Sequence, residues 1–335
     1  MMKDMGHGDL TQEAVDALFV KYDRNKDSFI DFMEFLDMFL AIKGSGKDFG
    51  TVGDHSKGSS ATIEGAVGSS HTYLVEERNV IARLWNKYLE DDEFVKDRVP
   101  MVAESDDLFH VMADGLVLIR LLNEIEKDTV DMRTVNVGSN LGIFKVRENI
   151  NLGLTAAKGK IKLVGIDATA FLDKKPHLVL AVCWQIARQL QTAHIQLKDC
   201  PEIMRLAKEG EELSDLLKVP PEDILVRWIN FHLKAAGQSR VVTNLGKDLK
   251  DCEALYYVLN QLDKEKCPLT HVKHEDEITR AQECINNSRA LGVSEIVSAS
   301  DLVKGNSRVN TVFVAEIFNT KHGLQELTKE EYDAA

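Results

Sequence analysis

Apolar residues recur along this chain at intervals of three and four, in blocks separated by polar, glycine-bearing stretches. Such spacing places each block on one face of an α-helix. Near the N-terminus Val15, Leu18, Phe19 and Tyr22 share a face, and Phe32, Phe35, Leu36, Phe39 and Leu40 share another beyond a polar loop. From Gly44 to about Ser70 the periodicity disappears and Gly, Ser, Asp and Lys dominate, which predicts a flexible tether. Helical patterning resumes near Glu76, where Ile81, Leu84, Trp85 and Tyr88 form a stripe. A second helix is expected after Ser105, a good N-cap, carrying Leu108, Val111, Met112, Leu116, Ile119 and Leu122 inward. A third spans about Phe144 to Ala157, and a fourth starts at Pro176 and runs through Leu190. The fourth is apolar on nearly all sides, so it should be the buried axis of its bundle.

The charged stretch Leu197–Val219, with Ile203, Leu206, Leu213, Leu216 and Leu217 as its apolar positions, reads as an ordered helical connector. After Pro220-Pro221 the scheme repeats, with helices near Glu222–Ala236, Lys247–Leu262, Glu275–Leu291 and Ser307–Asn319. The two sets correspond in order: Arg83-Leu84-Trp85-Asn86 answers to Arg227-Trp228-Ile229-Asn230, 144 positions on. Asp114 answers to Asp251 at a separation of 137, and Lys175-Pro176-His177-Leu178 to Asn306-Ser307-Arg308-Val309 at 131. A separation that shrinks stepwise while helix patterns persist is what loop deletions in a duplicated domain produce. No convincing strand alternation occurs, so the fold class is all-α, with two like helical domains in tandem behind a helix-loop-helix segment. The expected boundaries are 9–43 for that segment, 44–71 for the linker, 72–196 for the first domain, 197–219 for the connector, 220–323 for the second domain and 324–335 for a tail.

Composition narrows the function by exclusion. A net charge of −13 over 335 residues argues against nonspecific binding to nucleic acid or to a bilayer, both of them polyanions. No run of apolar residues is long enough to span a membrane, and the polar N-terminus does not read as a signal peptide, so a cytoplasmic protein is expected. The five cysteines are widely spaced without a CxxC pair and read as reduced thiols rather than a disulfide or zinc framework. No phosphate loop, dinucleotide fingerprint, HExxH or nucleophile elbow appears, so no enzyme is expected. Trp85, Trp184 and Trp228 fall on core faces and read as packing residues, and His177 and His232 read as packed or solvent-facing rather than as ligands. One stretch departs from the acidic total: between Ile143 and Leu163, Lys145, Arg147, Lys158, Lys160 and Lys162 stand against Glu148 alone, a local charge of +4. Lys174 and Lys175 admit two readings, a solvated helix start or an extension of that basic surface.

The loop Asp23-Arg24-Asn25-Lys26-Asp27-Ser28-Phe29-Ile30-Asp31-Phe32-Met33-Glu34 carries oxygen-bearing side chains at positions 1, 3, 5, 9 and 12 between two helices. Calcium takes six to eight hard oxygen ligands, and this spacing supplies them from Asp23, Asn25, Asp27, the Phe29 carbonyl, Asp31 and a bidentate Glu34. Position 6, where the backbone takes positive φ and glycine is usual, is Ser28. The strain costs roughly 1–2 kcal/mol, which makes the site roughly tenfold weaker than a glycine version, and the alternative is a loop that keeps the helix-loop-helix shape but holds no ion at cellular calcium.

With these residues in view, the chain resembles the fimbrin/plastin family. A calcium-type loop, a tether, and two helical domains bearing RLWNKYL, DDLFHVMADGLVLIRLLN, KPHLVLAVCWQI, ILVRWINFHL and VNTVFVAEIFN are similar to its EF-hand segment followed by paired calponin-homology domains. The resemblance implies binding to the side of actin filaments (F-actin). The implied contact surfaces are Glu77–Leu89, Lys145–Lys162 with Lys174–Gln191, and Glu222–Lys234. The residues it singles out are Arg83, Lys87, Lys145, Arg147, Lys158, Lys160, Lys162, Lys174, Lys175, His177, Arg188, Arg227 and Lys234. The family carries paired calcium loops and two actin-binding domains. This chain starts at what resembles the second loop and ends where a second pair of domains would begin, so crosslinking by these residues requires dimerisation or a longer protein. The alternative is a cytoskeletal or signalling adaptor, since calponin-homology domains also bind other proteins. Calorimetry tests the loop: binding heat is expected on adding Ca2+, and none at millimolar calcium rejects the site.

Overall fold

The computed structural model describes residues 60–64, 70–138 and 140–328. The helix-loop-helix segment 9–43, with Asp23, Asn25, Asp27, Phe29, Asp31 and Glu34, lies outside the described residues, as do most of the linker and the end of the tail. Among the described residues there are twelve α-helices and one antiparallel pair of strands.

The strands correct the reading of an unstructured tether up to Ser70. β1 (Ser60–Glu64) pairs with β2 (Ser70–Leu74), Thr62 opposite Thr72 and Ile63 opposite His71. Five-residue strands of mostly small and hydroxylic residues carry too little apolar alternation to stand out, and β2 runs without a break into the first helix.

The first domain comprises α1 (Val75–Tyr88), α2 (Asp107–Met112), α3 (Leu116–Ile125), α4 (Ile143–Ala157), α5 (Ala168–Leu172) and α6 (Pro176–Thr192). The expected axis is α6, which buries Val179, Leu180, Val182, Cys183, Trp184, Ile186, Ala187 and Leu190 and packs on α1, α2, α3, α5 and β2. The connector holds a 3-10 helix (Pro201–Leu206) and α7 (Leu213–Leu216). The second domain follows with α8 (Pro221–Ala235), α9 (Glu253–Leu262), α10 (Glu277–Ala290), α11 (Ala299–Leu302) and α12 (Ser307–Thr320). Buried apolar side chains form one cluster through both domains.

The expected second helix is in fact two, broken where Gly115 adopts φ 78°. A Cβ there would lie 2.7 Å from the backbone nitrogen of Ile150, so the break lets α4 approach the chain closely. Ser105 is not the cap residue but lies one position before it, its hydroxyl accepting the Asp107 N–H at 3.1 Å. The second domain breaks at the matching position, where Cys252 takes φ 57° and α9 begins only at Glu253. Asp114 and Asp251, just before each break, accept the N–H groups of Leu116 (3.0 Å) and Glu253 (3.1 Å).

Matching polar contacts establish the duplication more firmly than the sequence does. The Asn86 amide donates to the Met101 carbonyl at 2.9 Å and accepts the Met101 N–H at 2.7 Å. Asn230 does the same to Val242 at 2.7 and 2.8 Å. Arg98 pairs with Asp114 as Arg240 pairs with Asp251, each at 2.6 Å. Asn123 donates to the Val130 carbonyl as Asn260 donates to that of Cys267. Each copy thus uses the same side chains to close the loops between the same helices, leaving few buried backbone groups unpaired. Gly115→Ala combines left-handed strain with a backbone clash and is expected to lose at least ~2 kcal/mol in urea unfolding. Gly159→Ala, where an added Cβ meets nothing within 4 Å, should stay within ~0.5 kcal/mol.

Candidate functional site: a basic stripe and a domain interface

The basic residues singled out in the sequence separate into two groups with different surroundings. One group lies along the open side of α6. The stretch Lys158–Leu163 is laid on that helix by Gln185, which donates to the Lys162 carbonyl and accepts the Lys162 N–H, both at 2.6 Å. Gln189 donates to the Lys160 carbonyl at 3.2 Å. Lys158 and Lys162 are exposed, while Lys160 is half-buried and paired with Glu126. At the N-terminal end of α6, Lys174 and Lys175 are exposed, Lys175 lying 3.6 Å from Asp173. His177, on the first turn, is half-buried. Lys145 and Arg147 project from the start of α4, beside the exposed Ile143 and Phe144. Lysines at a helix N-terminus oppose the macrodipole, which there favours negative charge. Both the helix end and its lysines therefore attract an acidic partner.

Lys174 also carries a backbone constraint. It takes φ 50°, its N–H donating to Phe171 and that of Lys175 to Ala170, the pattern that closes a helix with a left-handed residue. Glycine is the usual occupant, and lysine there costs roughly 1 kcal/mol.

The second group lies on the first helix of each domain and late in α6, and most of its cations are paired with acids of this chain. Arg83 on α1 bonds Glu104 at 2.5 Å and the buried Asp301 of the second domain at 2.9 Å. Lys87 pairs at 2.5 Å with Glu316 on α12, whose side chain is 5% exposed. Arg227 on α8 is held by both oxygens of Glu211 in the connector, at 2.6 and 2.9 Å. That bidentate bond holds the Glu211 carboxyl down at about 2. Arg188 stays half-exposed but reaches across to Glu222 of α8. Lys234, near the end of α8, is exposed.

These contacts belong to an interface between the two domains that sequence reasoning missed. Glu76 and Glu77, in the first turn of α1, are 2% and 8% exposed. Glu76 pairs with Lys304 at 3.1 Å. Glu77 accepts from Arg308 (3.1 Å), Asn306 (3.0 Å) and the Trp184 indole (2.9 Å). Glu316 also accepts from Gln191, and Asn319 donates to the Gln191 carbonyl at 2.9 Å. A cleft of about 440 Å³ opens beside Lys87 and Glu316, lined also by Tyr88, Glu124 and Gln189. Burial and the neighbouring Glu316 and Glu124 raise the Tyr88 hydroxyl above its ordinary range. Trp184 thus packs at a domain boundary, whereas Trp85 and Trp228 are fully buried within their own domains, as expected. Acids in a first turn look like ordinary dipole complements, so Glu76 and Glu77 gave no signal. Glu316, an acid within the apolar run Val312–Phe318, carried one.

Comparison with known proteins agrees with this architecture. Residues 77–192 and 219–323 each match the calponin homology (CH) domain. The chain belongs to the calponin homology family. It is 33% identical to plastin-1 of Bos taurus over 96% of its own length and 53% of that protein. To fimbrin of Schizosaccharomyces pombe it is 37% identical over 89% of its length and 49% of the relative. The crystal structure of the actin-crosslinking core of that fimbrin superposes with a TM-score of 0.66 at 34% identity, covering 76% of this chain and 52% of the other. The resemblance to fimbrins and plastins is thus supported across both CH domains, and the chain spans about half the length of the relatives it matches. No helix among the described residues is long and apolar enough to cross a membrane.

The interface makes a thermodynamic prediction. Lys87→Met leaves Glu316 buried without its cation and is expected to cost about 2–3 kcal/mol in denaturant unfolding. Adding Glu316→Gln to the same chain should restore most of that loss, which a double-mutant cycle measures.

Proposed function

We propose that this chain binds the side of actin filaments and serves as the filament-binding module of a fimbrin-like bundling protein in the cytoplasm. The observation that carries the reading is the basic surface around α6: Lys158 and Lys162 stand exposed on the loop laid along that helix, and Lys174 and Lys175 at its N-terminal end, within a chain of net charge −13. An acidic polymer is attracted to such a stripe and repelled by most of the remaining surface, which selects orientation as well as partner. The names of the relatives, plastin and fimbrin, and the description of the solved core as actin-crosslinking point the same way. Arg83 and Lys87 are engaged at the domain interface, so the reading places first contact on the α6 stripe and α4 rather than on α1. Bundling follows only where a second filament site is supplied by another copy or by further sequence.

Calcium control is part of the same proposal. Filling the Asp23–Glu34 loop would reorder the helices beside it, and the linker would carry that change to the CH domains.

Co-sedimentation with F-actin tests the stripe. Replacing Lys174 and Lys175 together by Glu should weaken binding by roughly tenfold at low salt, the difference shrinking as salt is raised. Unchanged pelleting removes both lysines from the site, and failure of the unaltered chain to pellet rejects the function.

A further inference from the structure

We propose that Cys200, Glu202 and His322 form a transition-metal site, with zinc the ion that suits them best. One ligand atom from each lies within 4.8 Å of the other two. Thiolate, carboxylate and imidazole are the donors zinc takes, and three protein ligands leave a fourth tetrahedral position for water. Zinc–ligand bonds of about 2.0–2.3 Å set the ligands roughly 3.5 Å apart. The Cys200 Sγ to Glu202 Oε2 distance is already 3.5 Å, so only the His322 ring has to close in.

Both sides of the site are held by structure that needs no metal. Cys200 precedes the 3-10 helix Pro201–Leu206 of the connector, which packs on α8. His322 sits where the chain leaves α12, its carbonyl accepting from the Trp228 indole at 2.7 Å and from the His232 Nε2–H at 3.0 Å. The next residue, Gly323, has φ 64°, and a Cβ there would fall 2.5 Å from the Leu262 side chain, so the turn that presents His322 calls for glycine at that place. Without a cation the Cys200 thiol donates to Glu202. On binding a divalent ion the thiol releases its proton to solvent, and the thiolate and carboxylate together neutralise the ion's two positive charges. Binding also releases the bond in which His322 Nδ1 accepts the Leu324 N–H at 3.1 Å. Occupied, the site would clamp the interdomain connector to the segment leaving the second domain. Cysteine spacing carried no trace of it, because His322 lies more than a hundred positions from its partners and meets them only in the fold.

Cobalt is the probe, because a thiolate-to-cobalt charge-transfer band reports sulfur ligation that the all-oxygen Asp23–Glu34 loop cannot produce. The chelator-treated, reduced chain is titrated with Co2+ and then with Zn2+. One equivalent should generate the band, zinc should abolish it, and Cys200→Ser should not develop it. His322→Gln should weaken cobalt binding by at least roughly tenfold. Zinc should also raise the thermal midpoint of the unaltered chain but not of Cys200→Ser. No band at about tenfold excess cobalt, or a band that survives Cys200→Ser, overturns the assignment. Neither result depends on actin.

Discussion

The first CH domain, and the way the second is joined to it, are arranged around the burial of α6. A helix apolar on nearly every side has no stable exposed state and must be covered all round. The first domain supplies α1, α2, α3 and α5, and the second supplies α12, which packs on α6 and α1 together. Only a narrow side of α6 stays open, at Ala181, Gln185 and Arg188. That opening is where the basic loop is laid, so the candidate binding stripe exists because the core leaves it uncovered.

Sealing α6 with a helix from another domain brings charged groups out of water. Glu76, Glu77, Asp301 and Glu316 are nearly fully buried, and each has a cation from the opposite domain within 3.1 Å. Buried pairs of this kind contribute little net stability relative to apolar packing, but breaking one leaves an uncompensated charge. They therefore specify one arrangement of the domains more than they strengthen it. The same arrangement ties Arg83 and Lys87 into ion pairs with the second domain, Lys87 through its ammonium while much of its side chain stays exposed.

Duplication has preserved contacts rather than identities. Asn86 and Asn230 close corresponding loops, and Asp114 and Asp251 cap corresponding breaks, while Gly115 in one copy is matched by Cys252 in the other at the same left-handed position. The cysteine is fully buried and accepts the strain that glycine avoids. A residue can change where packing compensates it, but a side chain that satisfies buried backbone groups has few substitutes.

The chain's pattern alone was sufficient for the helices, their order, the internal repeat and the central place of α6, because helix faces are written in local periodicity and the core needs only apolar stripes of the right length. It was sufficient also for Trp85 and Trp228 as core and for the basic character of Lys158–Lys162. It did not reveal the breaks at Gly115 and Cys252, since an apolar stripe continues through a change of backbone direction. It did not reveal that Lys87 pairs with Glu316, because that depends on which surface the second domain brings against α1. The union of Cys200 and Glu202 with His322, and of Glu77 with Arg308, was likewise decided by tertiary structure. His322 and Arg308 are far in sequence from the residues they meet, and only the packing of α12 and its exit against the first domain and the connector brings them together.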